Sequence, residues 1–291
     1  MDGQRKAYLY ALSAVLLWST VASAFKISLR YLDVLNLLFY ASVVSSVTLF
    51  VFLVFQKKVG LLNTFSRGDY LRSALLGFLN PFLYYIVLFK AYSLLPAQQA
   101  QTINFIWPII LVLLSVPLLK QKIKFKSIVA VFVSFAGVFV ISTRGEIFGF
   151  RFSSPAGVVL ALVSTVIWAL FWIYNLRDKR DETAKLFLSF AFGTVFVFIS
   201  LLIFGHLEVP NFRGVIGGVY VGLFEMGITF LVWLKALRLS KTTAHVANLI
   251  YLTPFFSLVV IYFAVGEKIL VSTVLGLVLI IGGIILQKLR A

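Results

Sequence analysis

The chain has 291 residues, 61% of them hydrophobic and only 12% charged, with a mean hydropathy of +1.03 and a formal net charge of +16. A soluble domain is about half apolar and about a quarter charged, so a soluble enzyme, a nucleic-acid binder and a disordered tail are excluded. If each membrane span takes about 20 apolar residues, ten spans use roughly 200, which leaves room only for short loops.

Apolar runs between polar breaks predict ten helices, at 7–29, 34–55, 70–92, 97–119, 126–143, 155–176, 184–205, 213–237, 242–265 and 270–288. The first follows Arg5 and Lys6, as a signal peptide would, but it is as long as a full span and ends at Lys26 and Arg30. It is therefore expected to be retained as a helix. Basic residues then alternate between the two sides. The side of the N-terminus holds Arg5, Lys6, Lys57, Lys58, Arg67, Arg72, Lys120, Lys122, Lys124, Lys126, Arg177, Lys179, Arg180, Lys185, Arg238, Lys241, Lys288 and Arg290, which is 18. The other side holds Lys26, Arg30, Lys90, Arg144, Arg151, Arg213 and Lys268, which is 7. Positive charge stays in the cytoplasm, so both termini are expected inside and the span count even. The charge thus reads as orientation in a bilayer and not as a nucleic-acid partner.

The chain contains no cysteine and only two histidines, His206 and His245. A disulfide framework, a thiolate nucleophile and a Cys- or His-built metal centre are not expected, and no cofactor is expected either.

The sequence repeats itself. Lys90 and Lys235 lie 145 residues apart, each followed by Ala; Pro108 matches Pro254, Lys122 matches Lys268 and Gly137 matches Gly283 at 146; Leu17-Trp18 resembles Ile167-Trp168. Two five-helix units follow, expected at 1–143 and 155–291 with 144–154 as an outer linker. Five is odd, so the second unit runs the opposite way through the membrane. An all-α polytopic protein of ten transmembrane helices in two inverted repeats is the arrangement of a secondary transporter, whose site lies at the repeat interface near the midplane.

Several short stretches, in order, resemble the EamA family of the drug/metabolite transporter superfamily. They are Leu16-Leu17-Trp18-Ser19-Thr20 with Lys26 beyond, Leu94-Leu95-Pro96-Ala97 followed by Trp107-Pro108, Leu239-Ser240-Lys241-Thr242 followed by Thr253-Pro254, and Gly266-Glu267-Lys268. The chain departs from the family at Lys120-Gln121-Lys122 and at Trp168-Ala169. The resemblance implies export of a small molecule from a central cavity lined by helices one, three, four, six, eight and nine. It does not fix the molecule: relatives export amino acids, metabolites and drugs.

Glu225 is the one acid at mid-span, and a carboxylate there normally faces a cavity or a partner. It is expected either to bind a substrate amine or to carry a driving proton, unless it only hydrogen-bonds a neighbouring helix. Asn80 stands at the matching place of helix three, before Pro81, so a polar pair across the cavity is expected. Gln98, Gln101 and Asn104 share one helix face, as do His245 and Asn248, with Trp107 as an apolar wall. These side chains suit either substrate or interhelical contacts. Trp18 and Trp168 lie mid-helix, away from the interfaces that tryptophan usually anchors, and are expected to line the cavity. Lys90 and Lys235 suit either snorkelling or a substrate carboxylate. Gly276 and Gly283 in helix ten, with Ala130 and Gly137 at the matching places of helix five, suit close packing of helices five and ten, within one monomer or in a homodimer.

No P-loop, HExxH or GxSxG motif is present. The leading expectation is a secondary exporter in a bacterial or archaeal plasma membrane, working on a small molecule by alternating access. A channel-like facilitator or lipid-head-group flippase on the same fold is the alternative, and a polytopic membrane enzyme a remote one.

Overall fold

The computed structural model describes residues 3–119, 125–146, 154–239 and 248–288. Every regular element among them is helical. The first half comprises α1 (Gly3–Ser28), α2 (Val34–Phe55), α3 (Arg67–Gly77) continued by a π-turn (Phe78–Leu83) into α4 (Tyr84–Leu94), α5 (Ala97–Asn104), α6 (Trp107–Leu119) and α7 (Phe125–Ser142). The second comprises α8 (Pro155–Arg177), α9 (Glu182–Phe204), α10 (Phe212–Val221) continued by a π-turn (Gly222–Gly227) into α11 (Ile228–Leu239), a short 3-10 turn (Asn248–Leu252), α12 (Thr253–Val265) and α13 (Val271–Lys288).

Six of these helices are long and apolar enough to cross a membrane, Arg67–Leu94 and Phe212–Trp233 being counted whole through their π-turns. Shorter apolar helices lie at Phe132–Ile141, Thr253–Val265 and Val271–Leu286. Exposed apolar side chains cover the outside of the bundle, as at Phe55, Ile203, Phe204 and Phe263. That surface suits acyl chains and not water. The chain is a multi-pass membrane protein.

Helix starts follow ordinary capping chemistry. Asp33 accepts from the backbone of Asn36, Asn211 from Gly214, Ser154 from Gly157, and Ser66 forms a capping box with Asp69. Each of these side chains satisfies an N–H that the helix cannot. α12 ends at Gly266, whose φ of +79° is the left-handed closure that favours glycine.

The halves pack reciprocally. α1 lies on α10, α11 and α12, while α8 lies on α4, α5 and α6; α2 meets α9, and α7 meets α13. Small residues set the closest approaches. A Cβ on Gly77 would lie 2.2 Å from the Ser189 carbonyl oxygen, and one on Gly222 would lie 2.6 Å from that of Ala41. A Cβ on Gly137 would lie 2.6 Å from the Gly276 carbonyl oxygen, so the glycine face of α7 is filled by α13 of the same chain. Where α2 meets α9, the Ser46 and Thr194 hydroxyls are 3.1 Å apart.

Candidate functional site

The two π-turns stand 144 residues apart at their starts, Phe78 and Gly222, and each holds one of the expected polar residues, Asn80 or Glu225. A π-turn widens the helix and turns backbone carbonyls out of the usual ladder. In the second turn the Phe224 carbonyl accepts from the Thr229 hydroxyl, and the Met226 carbonyl accepts from Ser45 of α2 at 3.0 Å. The first turn contains Pro81, which brings no donor, and Asn80 is extended there, with φ −151° and ψ 121°.

Glu225 is buried, and its Oε1 accepts from the Tyr85 hydroxyl at 2.9 Å. That hydroxyl comes from one residue into α4 and not from Asn80, with which Glu225 shares no hydrogen bond among the described residues. Asn80 is fully buried, and both its Nδ2 and its Oδ1 lack a hydrogen-bond partner among the described residues, as does Glu225 Oε2. The repeat register explains the difference. Tyr85 stands 145 residues before Phe230, as Asn80 stands 145 before Glu225. The position that would mirror Tyr85 for Asn80 thus carries a ring with no hydroxyl.

Aromatic rings enclose this pair. Phe230 lies 6.1 Å from Trp18 and 5.8 Å from Trp168, and stacks on Trp172 at 6.3 Å. Tyr84 lies 4.6 Å from Trp168 and 4.7 Å from Tyr85. The structure therefore brings Glu225, Trp18 and Trp168 into one cluster built from α1, α4, α8, the second π-turn and α11, with Trp18 partly buried. Tyr85 is the member that sequence reasoning missed; its offset partner being Phe was the available signal.

The remaining expected residues distribute elsewhere. Asn104 donates to Ser164 of α8 at 2.9 Å, and Gln101 accepts from Tyr92 at 3.1 Å. Trp107 opens α6 and is partly buried against the main core. Lys90 is exposed; Lys235 is exposed with its ammonium 4.8 Å from the Tyr10 ring centre. Asn248 opens the 3-10 turn, but its side chain, like all of His245, lies outside the described residues.

Gln98 belongs to a tie at one end of the bundle. Glu267 accepts from the Ala97 and Gln98 amides at 2.8 and 3.2 Å, capping α5, where Pro96 supplies no side-chain cap. Gln98 donates to the Lys268 carbonyl at 2.9 Å and accepts from the Leu270 amide and the Thr273 hydroxyl at 3.1 and 2.8 Å. Lys26 donates to the Tyr92 and Leu95 carbonyls at 2.8 and 2.7 Å. A cavity of about 440 Å3 sits on this tie, bounded by Lys26, Gln98, Arg144, Glu267 and Lys268.

The pattern of the EamA-like transporter family matches residues 5–143 and again 155–287. The chain belongs to that family. An "uncharacterized transporter" of Archaeoglobus fulgidus is 28% identical over 289 residues, covering 98% of both chains. The aromatic amino acid exporter of Ancylobacter novellus is 25% identical over 154 residues, 52% of this chain and 53% of its own. A crystal structure that is 21% identical superposes with a TM-score of 0.68 over 97% of this chain and 96% of that one, which shows a shared fold. The function is membrane transport of a small molecule and not catalysis, as the named relatives are transporters.

Proposed function

We propose that the protein is a ten-span secondary exporter in a prokaryotic plasma membrane, with both termini in the cytoplasm. Residues 1–143 and 155–291 form its inverted halves and 144–154 the outer linker. It works as a monomer by alternating access and moves a small amphipathic molecule bearing an amine, such as an amino acid. Glu225 binds that amine or carries a proton in exchange for it. Trp18 and Trp168 form the apolar walls, Asn80 is a second polar contact, and Asn104 and Gln101 border the path.

The observation that carries this reading is the buried Glu225 carboxylate, which accepts from the Tyr85 hydroxyl within a cluster of aromatic rings. A carboxylate inside a bilayer is costly and persists where it has work to do. An aromatic surround also favours a cationic guest. The packing of Gly137 against Gly276, which fills that face within the chain, supports the monomer.

The test is counterflow in proteoliposomes against a panel of amino acids and lipophilic amines, with and without a pH gradient. Glu225→Gln is expected to abolish transport or its response to the gradient while the protein still inserts and remains monodisperse. Unchanged transport by Glu225→Gln at every pH would remove Glu225 from the mechanism.

A further inference from the structure

Two grooves open on the flanks of the bundle. One, of about 560 Å3, lies between α3 and α8 and is lined by Leu71, Arg72, Leu75, Phe78, Tyr174 and Arg177 among others. The other, of about 520 Å3, lies between α10 and α1 and includes Ala24, Ile27, Arg213, Ile216, Gly217 and Tyr220. They are counterparts in the repeat. Leu71, Arg72 and Leu75 stand 145 residues before Ile216, Gly217 and Tyr220, and Tyr174 and Arg177 stand 150 after Ala24 and Ile27. Each groove joins the start of a third helix to the end of the other half's first helix, so inversion points them at opposite membrane faces.

Their chemistry differs. In the α3–α8 groove the wall is apolar and open to the outside, with Leu71 63%, Leu75 61% and Tyr174 41% exposed. Arg72 lies in the second turn of α3 and Arg177 in the last of α8, so both guanidinium groups sit at the rim of the apolar wall. Neither makes an ion pair among the described residues. Asp69, the acid nearest Arg72 in sequence, feels its charge but forms no ion pair with it, and is hydrogen-bonded instead by the Ser66 amide and hydroxyl at 3.0 and 2.7 Å. Arg177 gives one N–H to the Leu118 carbonyl, which leaves other donors of its five. In the counterpart groove Gly217 replaces Arg72, and Arg213 is spent on the Tyr31 hydroxyl at 2.8 Å and lies 5.5 Å from that ring's centre.

We propose that the α3–α8 groove binds one anionic glycerophospholipid, its phosphate held between Arg72 and Arg177 and an acyl chain lying along Leu71, Leu75, Phe78 and Tyr174. Two guanidinium groups above an apolar trough match a phosphodiester above a hydrocarbon chain in charge and in layout. The groove unites helices of opposite halves, so a lipid seated there bridges the two bodies that must move relative to each other. The inference rests on the bilayer setting and the groove, not on Glu225, so its failure would leave the transport reading intact.

The test is native mass spectrometry of the purified full chain, titrated with phosphatidylglycerol or with phosphatidylcholine of the same acyl chains. Wild type is expected to retain one phosphatidylglycerol in preference to phosphatidylcholine by about tenfold or more. Arg72→Gln with Arg177→Gln removes that preference. Leu75→Trp, which fills the trough and leaves both arginines, weakens retention as well. Arg67→Gln, on the same helix but outside the groove, leaves it unchanged. Equal retention by the double arginine variant overturns the proposal, and so does an equal loss in Arg67→Gln, which would mean general attraction of surface cations. Retention unaffected by Leu75→Trp would also overturn it, since the trough would then hold no chain. Melting curves establish that each variant is folded.

Discussion

Asn80 is fully buried, and both its polar side-chain atoms lack partners among the described residues. A buried polar group left unsatisfied costs about 1–3 kcal/mol. Asn80→Leu is therefore expected to raise the melting temperature and at the same time to lower transport, because a substrate contact is lost. Higher stability with unchanged transport would reduce Asn80 to a strained bystander. A second cluster lies in the loop after α8. Burial alone would raise the Asp178 carboxyl, but hydrogen bonds and charge from Arg180, with Lys185 behind them, outweigh it and hold it below the usual carboxylate range. Asp181 is likewise lowered: burial opposes ionisation, and Lys58 at 2.7 Å with the Ala184 amide overcomes it. A carboxylate lowered in the folded state stabilises fully above its unfolded value of about 3.9 and loses that contribution as pH falls through its folded value. The melting temperature should accordingly fall below about pH 4, on the acid side of that value, and Asp178→Asn should shrink the acid-limb drop. An acid limb identical in wild type and variant would show that this loop adds nothing.

At the scale of elements, glycines at contact points and glycines in the open should respond in opposite ways. Gly77→Ala would drive a methyl to 2.2 Å from the Ser189 carbonyl, and Gly276→Ala would drive one to 2.3 Å from Ile141 Cγ1. Each is expected to cost about 1–3 kcal/mol through forced separation of helices. Gly282 has nothing within 4 Å, so Gly282→Ala should be neutral or gain up to about 1 kcal/mol from helix propensity. Thermal melts of the three variants separate these outcomes. Helix positions were largely legible from hydropathy: the run read at 34–55 is α2, and that at 155–176 matches α8 to within a residue. Interruptions were not. Hydropathy is blind to hydrogen-bond register, so the π-turns and the break between α5 and α6 at Phe105 and Ile106 left no trace in it. Pro81 marks the first π-turn, but Gly222–Gly227 contains no proline. Glu225 was legible because charge is rare inside an apolar run. Tyr85 was not, because a tyrosine among phenylalanines reads as packing until its hydroxyl meets a carboxylate.

For the whole molecule, the absence of native cysteine makes orientation directly measurable. Lys57→Cys is expected to react with a membrane-impermeant maleimide only after the cells are opened, and His206→Cys in intact cells; the reverse pattern would invert the proposed topology. Both sites are exposed. The tie of Glu267 and Gln98 to the start of α5, with Lys26 beside it, lies at the His206 end of the bundle. The Tyr85–Glu225 hydrogen bond has a further consequence at this scale. A chain with two identical inverted halves would rest equally in its two access states, since each is the mirror use of the same contacts. Here one half offers a carboxylate met by a hydroxyl, while the other offers an amide and a bare phenyl ring. A hydrogen bond to a charged group contributes about 1.5–3 kcal/mol, and a difference of about 1.4 kcal/mol already tilts a two-state balance tenfold. If the two halves alternate as proposed, divergence at four side chains, Asn80, Tyr85, Glu225 and Phe230, gives the empty carrier a preferred direction to face.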